Sequence, residues 1–269
     1  MYAYDFEYDG QCLSSFGFII CSFVSSSGAN NVTAGSNISF NKVMRNYGKQ
    51  YSLVGTSYSD CISTSFDICK NPDLYNAGEM EISDKEFREI MRWLNRREFI
   101  SFRLIDDNFL NDRCYYHATF NVEKLLINEV LYGLRLTMET DSPFGYGETQ
   151  ELTWEINNNT ITYIDPSDEI GYIQPRLTIV CNEAGDLSLS NDQFDTPMVI
   201  NNCISGERLL VDGENQILSS SISTHNLMDD FNYYFFKIGN TYNNRVNNIT
   251  SSIPISLTMT YEPIIKNAP

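Results

Sequence analysis

Hydrophobic and polar residues alternate with a period of two over most of the chain, and one stretch breaks that rhythm. From Ile82 to Leu94 (ISDKEFREIMRWL), Phe87, Ile90, Met91 and Leu94 fall at i, i+3, i+4 and i+7. At 3.6 residues per turn they share one face of a helix. Ser83 stands at the N-cap position. Its hydroxyl can accept from the backbone N–H of Glu86, and the Glu86 carboxylate can reach back to the N–H of Ser83. Ile82 and Phe87 occupy the two positions of a hydrophobic staple. Asp84 and Glu86 load the first turn with negative charge, while Arg96 and Arg97 follow the last turn, as the helix dipole favours. The pattern predicts a helix over 83–95, capped by Ser83 and Glu86, with Phe87, Ile90, Met91 and Leu94 buried against a sheet. Arg88 and Arg92 fall on its solvated flank, where Glu86 and Glu89 interleave with them and speak against a nucleic-acid role.

The remainder predicts strands. Tyr4, Phe6 and Tyr8 alternate before an Asp9-Gly10 turn, and SFGFIICSFV follows, which predicts two strands. Residues 25–37 (SSSGANNVTAGSN) are small and polar and predict a loop or hairpin tip. Ile38 and Phe40 restart the alternation. Between Cys61 and Cys69 one face carries Ile62, Thr64, Phe66 and Ile68, which predicts a half-buried strand. Phe99–Ile105, Tyr115–Glu123 and Val130–Thr140 predict three more. Asp106-Asp107 opens a loop, and DSPFGYGE at 141–148 reads as a boundary. Residues 150–164 predict one or two strands. From Gly171 onward, short strands at regular spacing with turn signals between them predict an antiparallel β-sandwich. The chain is thus expected to be mainly β, with one domain at 1–148 and another at 149–269.

Charge narrows the classes of function. The net charge is −17, with 13 basic and 20 acidic side chains in 1–148 and 5 and 15 in 149–269. Such a surface does not attract nucleic acid or anionic membranes. No segment approaches the ~18 apolar residues of a membrane span, and MYAYDFEYDG has neither the basic start nor the apolar run of a signal peptide. Seven cysteines form no CxxC pair, and only two histidines are present, so a metal site is not expected. No nucleophile elbow, phosphate loop, dinucleotide loop or zinc-protease motif occurs. His117 lies in a strand (YYHATF) without a nearby nucleophile, and Cys114 falls on the opposite face from it. His225, in SSSISTHNLMDDF, reads as a loop residue. Adjacent carboxylates such as Asp106 and Asp107 usually mark a solvated turn. No catalytic residue, cofactor or metal is expected.

The order of features carries more. FEYDGQCLSSFGFIICSF, YGKQYSLVGTSYSDCISTSFDICKN, the helix segment EISDKEFREIMRWLNRREFISFRLIDDN, YYHATF and LYGLRLTMETDSPFGY follow one another. GYIQPRLTIVCNEAGDLSLSN, ISGERLLVDGENQIL and ISLTMTYEP complete the set. The chain resembles the distal tail protein family of long-tailed (siphovirus-type) bacteriophages. The resemblance implies an N-terminal β-sandwich with one covering helix and a β-hairpin extension, followed by a galectin-like antiparallel β-sandwich. It also implies a hexameric ring, built by the first domain at the tail tip. That ring joins the tail tube protein to the tail-tip hub (a tail-associated lysin or fibre protein) and often carries receptor-binding proteins. DNA would pass through the bore without specific binding, helped by an acidic wall. The implied location is the virion, after assembly in the bacterial host cytoplasm. Residues 25–37 with the segment after them form either the family's long hairpin, which clasps the neighbouring subunit, or a plain surface loop.

Two other functions stand beside this one: a carbohydrate-binding adhesion module, and a glycan-cleaving enzyme with two facing carboxylates. A galectin-type sugar site uses a strand histidine, asparagine and arginine with a stacking tryptophan. Here His225-Asn226 matches only the first part, the next arginine is Arg245, and Trp154 precedes the sandwich. The second domain is therefore expected to contact protein. Cytosolic assembly keeps thiols reduced. All seven cysteines should react as free thiols in a non-reducing, denaturing thiol titration, and a count of five or fewer would contradict this.

Overall fold

The computed structural model describes residues 3–23, 37–45, 48–105, 114–241 and 243–266. It divides into two compact units, residues 1–147 with 265–269, and residues 148–264. Asp106, Asp107 and most of the polar stretch after Ser25 lie outside the described residues.

The first unit contains β1 (Asp5–Tyr8), β2 (Gln11–Cys12), β3 (Phe18–Cys21), β4 (Ile38–Arg45), β5 (Gln50–Tyr58) and β6 (Ser63–Lys70). Helix α1 (Asp84–Leu94) follows, then β7 (Ile100–Ile105), β8 (Tyr116–Ile127), β9 (Val130–Thr140) and β10 (Gly145–Tyr146). Seven strands form one continuous antiparallel sheet in the order β2-β1-β7-β8-β9-β6-β3. The Ile20 N–H donates to the Tyr4 carbonyl at 3.1 Å, so the β3 edge returns toward β1 and the sheet folds over on itself. The sandwich is made from one sheet rather than two.

Asp9 and Gly10 both have positive φ (53° and 70°), the two-residue turn whose twist suits a hairpin, and it joins β1 to β2. The strand expected next is interrupted: Leu13–Phe16 forms a 3-10 turn, with Leu13 buried. β8 runs four residues beyond the expected Glu123, because Asn128 and Glu129 adopt positive φ and close a tight tip at Ile127 and Val130.

Helix α1 carries the expected cap. The Ser83 hydroxyl accepts from the Glu86 N–H, and the Glu86 carboxylate accepts from the Ser83 N–H at 2.8 Å. Lys70, nearly buried, pairs with the same carboxylate at 2.9 Å. Burial raises the Glu86 pKa, but the bonds from Lys70 and Ser83 outweigh it and leave the group below its ordinary value. Ile90 and Leu94 are buried, and Phe87 is half-buried under the Lys124 ammonium, 4.2 Å from its ring centre. Met91 is only half-buried, and Trp93, which the spacing did not single out, is buried in its place. The reason is rotational. Trp93 inserts its ring beside Phe6 and Phe16, with centroids 5.5 and 4.5 Å away. This centres the buried stripe on Ile90, and Met91 lies about 100° round the helix from it.

The second unit contains β11 (Gln150–Ile156), β12 (Ile161–Ile164), β13 (Gly171–Ile173), β14 (Arg176–Cys181), β15 (Gly185–Asn191), β16 (Met198–Cys203), β17 (Arg208–Asp212) and β18 (Ile217–Ser220). A single helical turn, α2 (Leu227–Asp230), precedes β19 (Ile238–Asn240), β20 (Val246–Ser251) and β21 (Ile255–Tyr261). The short β22 (Ile264–Ile265) straddles the division between the units. A five-stranded sheet, β11-β21-β14-β17-β18, and a four-stranded sheet, β12-β20-β15-β16, enclose a second core. Period-two alternation is clear: Leu177, Ile179 and Cys181 on β14, and Ile255, Leu257, Met259 and Tyr261 on β21, all point inward. The sandwich begins at β11, not at Gly171. Trp154 therefore belongs to an edge strand of the sandwich and packs against its core.

Leu94→Ala should destabilise the first unit by ~2–5 kcal/mol, the usual cost of a large-to-small change in a packed core. Met91→Ala should cost clearly less. Urea unfolding of both variants checks the order, and equal losses would contradict the helix orientation.

Candidate assembly surfaces

Strands β4 and β5 pair with each other and with nothing else in the described chain. The register places Ile38 opposite Tyr58, Phe40 opposite Thr56, Lys42 opposite Leu53 and Met44 opposite Tyr51. Directly opposed residues share a face of the ribbon. One face therefore carries Ile38, Phe40, Met44, Tyr51, Leu53 and Tyr58 around a single lysine, whose ammonium lies 5.5 Å from the Phe40 ring centre. The other face is mostly polar: Ser39, Asn41, Arg45, Gln50, Ser52 and Ser57, with Val43. The irregularity between Asn41 and Lys42 leaves Val54 as the extra residue.

The apolar face is in solvent. Ile38, Phe40, Met44, Tyr51 and Leu53 are each between 48% and 60% exposed. At its root the ribbon is held by the Ser59 N–H donating to the Asn37 carbonyl at 2.8 Å. A Ser39–Ser59 hydroxyl contact at 2.6 Å and an edge-to-face packing of Tyr58 on Phe144 at 4.7 Å complete the root. A two-stranded ribbon with most of its apolar side exposed is marginal in water, and a contiguous apolar patch of this kind marks an interaction surface. A second exposed apolar feature is the β8–β9 tip, where Leu126 and Ile127 are more than half exposed. The alternation of β4 was legible in ISFNKVM; the exposure of its apolar side chains was not.

The histidines and cysteines are placed otherwise. The His117 ring stacks on Tyr146 at 4.7 Å and its Nδ1 lies 3.2 Å from Asp141 Oδ2. Cys114 is buried, two residues before the start of β8. Among the described residues no group of three or more histidine, cysteine or acidic side chains is placed to hold a metal. No helix there is long and apolar enough to cross a membrane.

His225 is not a free loop residue. Its side chain is 4% exposed, and Nδ1 lies 2.6 Å from Oε1 of the fully buried Glu207. Nε2 lies 2.9 Å from the Asn201 carbonyl and 3.4 Å from Asp230 Oδ2. Nothing in ISGERLL distinguished Glu207 as a buried carboxylate. Asn226 bonds to Asp229, Arg245 is exposed, and Trp154 turns its ring edge to Tyr163 at 5.8 Å. The exposed ring of Tyr172 and the neighbouring Tyr234 already hold the Lys237 ammonium at 4.4 and 4.7 Å. Among the described residues, His225, Asn226 and Trp154 are thus engaged with protein groups rather than set out as a polar clamp with a stacking platform.

A family model described as a phage tail protein N-terminal domain matches residues 1–142, and one described as a phage tail C-terminal domain matches residues 144–261. The chain belongs to this family of phage tail proteins, and it is a structural component of the virion tail. A search of curated proteins finds no match. Among solved structures it is similar to the Dit protein (gp 19.1) of phage SPP1, described as a paradigm of the hub adsorption apparatus in phages infecting Gram-positive hosts. The TM-score is 0.64 at 12% identity, over 96% of this chain and 98% of that one. The fold is that of a distal tail protein.

The full chain should give no saturable response to galactosides at millimolar sugar in an NMR titration. A specific response centred on His225 and Trp154 would instead identify a carbohydrate-binding module.

Proposed function

We propose that the chain is the subunit of a hexameric ring at the tail tip, joining the tail tube protein to the tail-tip hub. The observation that carries this reading is the β4–β5 ribbon, whose Ile38, Phe40, Met44, Tyr51 and Leu53 are exposed and whose strands pair only with each other among the described residues. A second copy is the occupant that suits it. A head-to-tail contact, in which the ribbon of one copy lies on a different surface of the next, generates a closed ring when the rotation closes. Residues 1–148 form the ring in this reading, and residues 149–269 form an outward mount for a receptor-binding protein. Membership of a tail family and the fold shared with SPP1 Dit support it.

The charge agrees with a conduit. At −17 per subunit, a bore lined by this chain repels phosphate and lets DNA pass without sticking. Assembly takes place in the host cytoplasm, and the ring has no catalytic task.

Light scattering of the full chain should give a mass six times that of the subunit. Phe40→Ser combined with Leu53→Ser should leave monomers with unchanged circular dichroism, because both side chains are exposed within one subunit. A two-fold dimer, a ring indifferent to these substitutions, or a ring held by residues 149–269 alone would reject the proposal.

A further inference from the structure

The buried group that assembly does not use is His225. Among the described residues its two ring nitrogens face oxygen acceptors: Glu207 Oε1 on one side, the Asn201 carbonyl and Asp230 Oδ2 on the other. A neutral imidazole donates from one nitrogen only and would aim the lone pair of the other at an oxygen. With Glu207 ionised, the geometry therefore calls for a proton on each ring nitrogen. Glu207 accepts two further hydrogen bonds, from the Ile204 N–H at 3.0 Å and the Ser220 hydroxyl at 2.5 Å. Three donors thus converge on a carboxylate that is fully buried.

Glu207 stands just before β17, Asp230 ends α2, and Cys203 ends β16. The Asn202 amide donates to Asp230 Oδ1 at 2.7 Å, and the Asn202 N–H donates to Asp186 on β15 at 2.9 Å. Among the described residues neither Glu207 nor Asp230 is ion-paired with a lysine or arginine. The imidazolium is their counter-charge.

His225 sits in the segment between β18 and β19, which carries α2 and exposes Met228 and Tyr233. The far end of that segment is tied down separately. Asn232 exchanges hydrogen bonds with the backbone of Val199 and donates to the Pro197 carbonyl at 2.9 Å, none of which titrates near neutral pH. The near end, around residues 222–230, is tied by the Asn202 amide on Asp230, by Leu227 packed on the core and by His225, and the histidine is the tie that titrates near neutral pH.

We propose that His225 is an imidazolium clasp, doubly protonated at neutral pH, that holds residues 222–230 on the second unit, and that this stretch is released when the ring loses its proton at alkaline pH. The electrostatics agree in sign. Burial opposes a charged ring, but the hydrogen bond and charge of Glu207 and the Asn201 carbonyl outweigh it and raise the His225 pKa above 6.5. Burial likewise opposes the Glu207 charge, and the bonds from Ser220 and His225 outweigh it and lower that pKa. A raised histidine pKa contributes stability that is complete below about 6.5 and is lost as pH rises through the folded-state value. The clasp is therefore closed below about 6.5 and opens as pH rises through the raised folded-state value.

The test uses the full chain with ring-labelled histidine, which gives two imidazole signals, His117→Gln assigning them. At pH 7 His225 should show N–H protons on both ring nitrogens. It should titrate above 6.5, and amide protection at 226–230 should fall along the same curve, beyond the intrinsic base-catalysed increase. Asp230→Asn, which leaves the Glu207 pair in place, should move the midpoint down. His225→Gln should remove the pH dependence of protection at 226–230. If His225→Gln does not fold, the Asp230→Asn midpoint decides alone. A single ring N–H at pH 7, a midpoint at or below 6.5, an unmoved midpoint in Asp230→Asn, or protection that ignores the titration would each overturn the clasp.

Discussion

The first unit depends on the burial of one aromatic group, and Phe6 is at its centre. Its ring lies 5.5–6.0 Å from those of Phe66, Trp93, Phe102 and Phe120. These five residues come from β1, β6, α1, β7 and β8, so the cluster ties the start of the chain to segments far along it. Each buried large side chain contributes ~1.5–3 kcal/mol, and a well-oriented aromatic pair adds ~0.5–1.5 kcal/mol. A flat sheet cannot bring four strands around a common ring. The fold-over that returns β3 toward β1 follows from this demand, as does the helix over the opening. Trp93 brings a polar N–H into the core, and the Tyr8 carbonyl accepts it at 3.0 Å. A buried donor without a partner would cost about 1–3 kcal/mol, so this bond also fixes the rotation of the helix.

The β4–β5 ribbon is the counterpart of that cluster. Its side chains are as apolar as those in the core, but its place between β3 and β6 puts them outside the fold-over. Covering them within the same subunit would need a further layer of structure, and the described chain supplies none. This is how a small subunit can keep a complete core and still present a large apolar contact to a neighbour. Stability of the subunit and stability of an assembly then rest on different residues, which can change independently.

The second unit makes a different use of its fold. Its sandwich carries a histidine followed by an asparagine, as a galectin-type site would. Burial gives the histidine another task. Enclosed by Glu207, the Asn201 carbonyl and Asp230, the ring has no face left for a sugar. Function resides in the site and not in the fold, and here the polar side chains are spent on holding a loop.

The alternation of Leu177, Ile179 and Cys181, the Asp9-Gly10 turn and the Ser83–Glu86 cap could all be read along the chain. Each depends on neighbours within a few residues, where local geometry decides. The sequence by itself therefore determined the mainly β class, the helix and its cap, and the order of features shared with tail proteins. Tertiary structure alone decided the rest. Met91 and Trp93 both lie near the edge of the helical stripe, and only the position of Phe6 and Phe16 chose which would be buried. Trp154 joined the sandwich because β21 offered it an edge to pair with. His225 and Glu207 became an ion pair because two turns, 18 residues apart, meet beside β16 and α2. The exposure of Phe40 and Leu53 is likewise a property of what fails to pack against them. Burial depends on all the neighbours that reach a residue through space, and a period along the chain records only those that are near in sequence.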